Sequence, residues 1–375
     1  MGSECFGTAP EEVKPTSTNN STMHRRDFLR LSATGLAGAV LLGSTSGRVL
    51  AQTMTSLKSE FQSAGAKYKV PKELLMAMGY VDTLWEMPSP EASDYVAGDI
   101  HGRGAYGIMQ LVQTPWEDAL GRAANLTGLS EERLKTERSA NVVGGAAVLA
   151  GIAGNDRPSN LNGWYEAVAE YGGGELYAQE VFETLKSGAS ATISTGESLH
   201  LAPQDVEVPQ IYTAQSSADY VRAIWRPAYR GNYTQAKRGA SSIDFIVIHI
   251  AQGSYSGTIE WFQNPTASVS AHYVVSKRGT VAQCVPNEDI AWHAGNWSFN
   301  KKSIGIEHAG YASQWWTDSM YHSSAKLSAY LCRRFNIPVR RHYIRGHRSV
   351  PKVATRCPGR LFDKDWYLRL VRHYS

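Results

Sequence analysis

The chain has 375 residues, 42% of them hydrophobic, with 38 basic and 34 acidic side chains and a formal net charge of +4. That length allows two or three domains of ~100 to 200 residues, each with enough apolar sequence for a core. With near-balanced charge and no long basic run beyond the first fifty or so residues, nothing points to nucleic acid as a partner.

The N-terminus reads as a targeting segment. Met23-His-Arg25-Arg26-Asp-Phe-Leu29 is basic with paired arginines, and Leu31 to Leu42 is a short Ala/Gly-rich apolar stretch. A membrane span needs about 20 such residues, so this one is too short. Val49-Leu-Ala51 ahead of Gln52 offers small residues at a cleavage point. Residues 1–52 resemble a twin-arginine export signal, which implies a secreted or wall-associated mature chain without stable membrane insertion. Cys5 leaves with the signal, and Cys284, Cys332 and Cys357 remain. If Cys357 serves a metal, the other two either bridge or stay as two buried thiols.

From about residue 53 to 187 the apolar spacing is helical, in Leu57 to Ala66, Pro71 to Val81, Ala140 to Ile152 and Trp164 to Leu185. Pro71 fits the first turn of its helix, and no alternating strand intervenes, so an all-α domain is expected. Pro71-Lys-Glu-Leu-Leu-Met-Ala-Met-Gly-Tyr80, Gly104-Ala-Tyr-Gly-Ile-Met-Gln110-Leu, Asn141 with Gly145 and Leu149, and Trp164 to Tyr171 with Tyr177 resemble the lysozyme-like transglycosylase family. The resemblance implies a sugar groove in which Tyr106 and Gln110 bind substrate. Where that family has its catalytic glutamate this chain has Asp82, one methylene shorter, followed by Thr83; Glu86 stands a turn later. Tyr171-Gly172-Gly173-Gly174 also departs from the family, which has asparagine after the tyrosine. The expectation is a domain that holds glycan, with Asp82 catalytically inactive.

Residues 188–218 read as a linker, because Gly188 to Gly196 is small and polar without periodicity. From 219 to 375 strand-like and helical segments alternate. Phe245-Ile-Val-Ile is a buried strand running into His249, Ser270 to Val275 and Thr280 to Val285 form a hairpin across Lys277-Arg278-Gly279, Ser303 to Glu307 is another strand, and Ser323 to Phe335 is an amphipathic helix. A mixed sheet flanked by helices is the economical architecture.

His249 at that strand end, with His347 and Cys357 on a late loop, makes an N,N,S donor set for zinc that leaves one position open. Val247-Ile-His249, Ser270-Ala-His272-Tyr, Ala291-Trp-His293-Ala-Gly295, Ser303-Ile-Gly-Ile-Glu307, Gly346-His347-Arg and Cys357-Pro-Gly359 follow one another as in the zinc N-acetylmuramoyl-L-alanine amidases related to phage T7 lysozyme and to peptidoglycan recognition proteins. This second resemblance spans about Trp225 to Tyr367. It implies zinc on the same trio, Glu307 as the catalytic carboxylate, Thr355 as a neutral donor, His272 and His293 lining the cleft, and peptidoglycan as substrate. The activity implied is hydrolysis of the amide between muramic acid and L-alanine. Alternatives are a recognition protein that binds without cutting, or an enzyme that also cleaves glycan.

Overall fold

Described here are residues 55–96, 101, 104–209 and 218–375 of a computed structural model; the expected export signal lies outside the described residues. Helix α1, Leu57–Tyr68, begins where the Ser56 hydroxyl accepts the Ser59 N–H and ends at a left-handed Lys69. Helix α2, Lys72–Thr83, buries almost every face, from Leu74 to Thr83, because α1, α4 and α6 surround it. Leu84 and Trp85 take positive φ and stop it. Around it lie α3, Ala119–Thr127, α4, Arg138–Ile152, α5, Tyr165–Tyr171, and α6, Glu175–Ser187.

Three features depart from the sequence expectation. The helical region also carries a small antiparallel sheet, β1, Ala105–Tyr106, β2, Leu111–Thr114, and β3, Glu117–Asp118, where Gly104 and Gly107 supply the positive φ that its turns need. The helix expected over Trp164 to Leu185 breaks at Gly172–Gly174. The expected linker contains a hairpin, β4, Ala189–Thr192, with β5, Ser198–Leu201. Leu199 and Leu201, two apart, turn one face of β5 into the helical core, which small polar residues in β4 concealed.

The α/β region is built on six strands in the order β13-β8-β12-β9-β10-β6, where β6 is Ala223–Trp225, β8 Phe245–Ile248, β9 Tyr273–Val275, β10 Val281–Gln283, β12 Ser303–His308 and β13 Ile344–Gly346. A separate pair joins β7, Tyr233–Thr234, to β11, Ile290–Ala291. Only the β9–β10 hairpin is antiparallel within the large sheet. Helices α7, Tyr255–Gln263, α8, Asp318–Phe335, and α9, Lys364–Tyr374, complete the region. Ile246, Ile248, Ile304, Ile306 and Val274 fill the core between sheet and helices. Cys284 and Cys332 are both free and buried. No helix among the described residues is long and apolar enough to cross a membrane.

The helical and α/β regions belong to one compact unit, and the end of α2 shows how they join. A helix C-terminus leaves carbonyls without intrahelical partners. Here Lys277 Nζ donates to Val81 O at 2.8 Å and Asp82 O at 2.6 Å, and Gln314 Nε2 donates to Thr83 O at 2.7 Å. Lys277 is 7% exposed, and its charge suits the negative end of the helix dipole. Burial pulls its pKa down, against the opposing pull of Asp82 and Glu180. Lys277→Met removes this cation and strands two buried carbonyls, so a loss of about 2–4 kcal/mol is expected in denaturant melts. A change below about 0.5 kcal/mol would show that the junction does not depend on it.

Candidate metal centre

Three parallel strands set the geometry. Gly346 of β13 and Ile306 of β12 both stand opposite Ile248 of β8. The next residue of each, His347, Glu307 and His249, therefore falls in one row at the carboxyl edge of the sheet, where α/β sheets place their ligand sites. All three are buried. His347 thus stands at the end of an edge strand; the short Ile344-Arg-Gly run gives no periodicity by which to recognise that strand.

Cys357 comes from the loop between β13 and α9. Its Sγ accepts the Ile250 N–H at 3.2 Å, and its own N–H donates to Thr355 Oγ1 at 3.1 Å. Thr355 therefore sets the turn that delivers the thiol. The ligand atoms of His249, His347 and Cys357 lie within 4.8 Å of one another, the single such trio among the described residues.

Hydrogen bonds decide which ring nitrogen faces the trio. Ala294 O lies 3.1 Å from His347 Nε2 and can only accept, so the ring proton sits there and Nδ1 keeps its lone pair. For His249 the reasoning runs through two neighbours. Ser303 Oγ donates to Phe299 O at 2.6 Å, so it accepts from His293 Nε2 at 3.2 Å. His293 Nδ1 then accepts from His249 Nε2 at 3.0 Å. That leaves His249 Nδ1 with its lone pair, buried without a hydrogen bond and 3.6 Å from Glu307 Oε1. Burial, then the adjoining His347 and His293, hold the His249 pKa well below its usual value, which keeps the ring in its ligating, neutral form.

His293 is therefore the residue that orients His249. It needs Gly305 beneath it, since a Cβ there would come 2.4 Å from the imidazole. His272 lies further in: its Nδ1 accepts the Gly305 N–H at 3.0 Å and its Nε2 faces Asp289 O at 3.2 Å, with Arg238 Nη2 2.8 Å away. It is a packed histidine of the sheet. His308, which the sequence reading passed over, directs Nδ1 to His249 O at 2.8 Å and Nε2 to Ser324 Oγ at 2.7 Å. Its position directly after Glu307 was the available signal.

The candidate residues of the helical region do not converge with these. Asp82, 2% exposed, accepts from the Tyr177 hydroxyl at 2.8 Å, and burial raises its pKa. Glu86 is held by the hairpin turn, through Ser194 N and Oγ, both at 2.7 Å. Tyr106 is buried, with its hydroxyl donating to Asp94 at 3.0 Å. Gln110 Oε1 accepts from Tyr311 OH at 2.5 Å.

The donor chemistry fits zinc. Two imidazoles and a thiol suit that ion, and their donor atoms already lie within 4.8 Å of one another. Residues 239–360 match the amidase family described as N-acetylmuramoyl-L-alanine amidase. The chain is 42% identical over 121 residues to N-acetylmuramoyl-L-alanine amidase A of Achromobacter lyticus, covering 32% of this chain and 66% of that protein. It is 33% identical over 110 residues to the 1,6-anhydro-N-acetylmuramyl-L-alanine amidase AmpD of Haemophilus influenzae, covering 28% of this chain and 59% of that one. The chain thus spans slightly under two thirds of both relatives. Against the AmpD of Citrobacter freundii it is 31% identical over 129 residues, 31% of this chain and 68% of that protein. On this likeness, carried by the α/β region, the chain belongs to the N-acetylmuramoyl-L-alanine amidase family.

Proposed function

We propose that this protein is a zinc-dependent hydrolase of the amide joining the lactyl group of N-acetylmuramic acid to L-alanine in peptidoglycan. The observation that carries this reading is the row His347, His249, Glu307, with Cys357 closing the donor set. Zinc, when bound, supplies a Lewis acid that acidifies water and draws charge from a carbonyl oxygen. Glu307 borders the donors, and its carboxylate takes the proton of the water that attacks the carbonyl carbon. The same group then gives that proton to the alanine nitrogen as the C–N bond breaks. His293 holds the His249 ring throughout, and the Thr355 hydroxyl proton is available to the oxyanion because its oxygen, not its proton, is used by Cys357.

Thr355, a neutral donor, supports the finer likeness to peptidoglycan recognition proteins. Glu307 beside a complete donor set favours cutting over recognition alone, since binding needs no carboxylate there. In the same proposal residues 1–52 export the protein to the wall, and the lysozyme-like helical region holds glycan, through Gln110 among others. Digestion of purified peptidoglycan followed by end-group analysis tests the reaction. New free L-alanine amino termini are expected; muropeptides bound but intact would replace the enzyme with a recognition protein.

A further inference from the structure

Between the helical and α/β regions lies a cavity of about 210 Å³, walled by Gln110, Trp116 and Tyr171 on one side and by Glu260, Trp261 and Asn264 on the other. Trp116 is 47% exposed, a large aromatic surface left open to water. Two neighbouring rings nevertheless pack against it. Its ring stacks on Trp261 at 5.6 Å and 14°, and Tyr95 meets it edge-on at 5.5 Å. A flat, half-open indole is a stacking face waiting for the apolar face of a ring.

Glu260 reaches the cavity from α7 and lies against the Gly172–Gly174 bend. A Cβ on Gly173 would fall 2.5 Å from Glu260 Oε2, so the glycines that depart from the transglycosylase pattern make room for a carboxyl group of the other region. Glu260 Oε1 and Trp261 Nε1 are both buried without a hydrogen-bond partner, each at a cost of about 1–3 kcal/mol. Burial, with Glu117 nearby, raises the Glu260 pKa to about 8, so at neutral pH the group carries a proton it can donate. Asp82 and Glu117 also line the cavity, yet the carboxylates do not converge as the ligands of a cation would: among the described residues only the His/His/Cys trio does so. Neutral donors, amides and an aromatic face together describe a site for a sugar ring.

We propose that this junction cavity binds a pyranose ring of an N-acetylated glycan, stacked on Trp116 and hydrogen-bonded by Glu260 and Trp261 of the α/β region. The inference rests on the reading of the helical region as the part that holds glycan and deepens it, because half of the site comes from the other region. The helical region alone therefore supplies only one wall of this site.

Titration calorimetry of the full chain with chitotetraose, which has no amide to muramic acid and is no amidase substrate, tests this. Sub-millimolar binding is expected in the wild type and in Cys357→Ala. Trp116→Ala, at an exposed position, and Glu260→Ala should each weaken it by at least about 10-fold, and Gly173→Ala, which takes the place of the Glu260 carboxylate, should do the same. Absence of binding by the wild type up to millimolar sugar overturns the proposal, as does wild-type affinity in folded Trp116→Ala and Glu260→Ala. Turnover of a soluble muramoyl peptide reports the amidase reading separately: its absence beside normal chitotetraose binding overturns that reading and leaves this one standing.

Discussion

Glu307→Gln is expected to lower turnover by about 10²–10⁴-fold while zinc content stays at the wild-type level. The amide keeps the size and buried position of the carboxylate on β12, 1% exposed, so the sheet has no cause to rearrange. What it loses is the capacity to take a proton from water and return it to the leaving nitrogen. Single-turnover rates beside metal analysis separate the two effects. Equal rates in the variant would remove Glu307 from the reaction, and loss of zinc would make it a structural support of His249, from which it stands 3.6 Å.

Cys357→Ala is expected to abolish stoichiometric zinc, with affinity reduced by more than about 100-fold, and with it activity. The thiol is the one soft donor of the trio, and the Ile250 N–H is aimed at its sulfur. His293→Ala should fall between this variant and the wild type, because it leaves all donors in place and removes only what orients His249; a loss of about 10–100-fold in affinity is expected. Metal titration with a competing chelator orders the three proteins. Undiminished zinc in Cys357→Ala would mean that the ion sits elsewhere.

Much of the centre is written in the local sequence. Phe245-Ile-Val-Ile before His249 marks a buried strand by β-branching alone, and two imidazoles with a thiol suit zinc by ligand type. What could not be read depends on partners distant in the chain. The tautomer of His249 is set by Ser303 through His293, an arrangement that exists only once β12 lies between β8 and β9. Lys277 looks like an ordinary hairpin-turn residue, since no local pattern shows that a helix end nearly two hundred residues earlier will cover it. Gly172–Gly174 was visible as a departure, but its reason, Glu260, belongs to the other region.

The placement of β13 bears on how the molecule is assembled. This strand lies at the sheet's edge and pairs with β8 alone, yet the residue following it completes a donor set begun on a central strand far earlier in the chain. An ion that requires His249, His347 and Cys357 together binds no partly folded form in which the C-terminal strand is still loose. Its binding free energy is then added to the folding of that last strand and of the loop carrying Cys357, rather than to the pocket as such. A metal in this position would act as a clasp between the edge of the sheet and its centre.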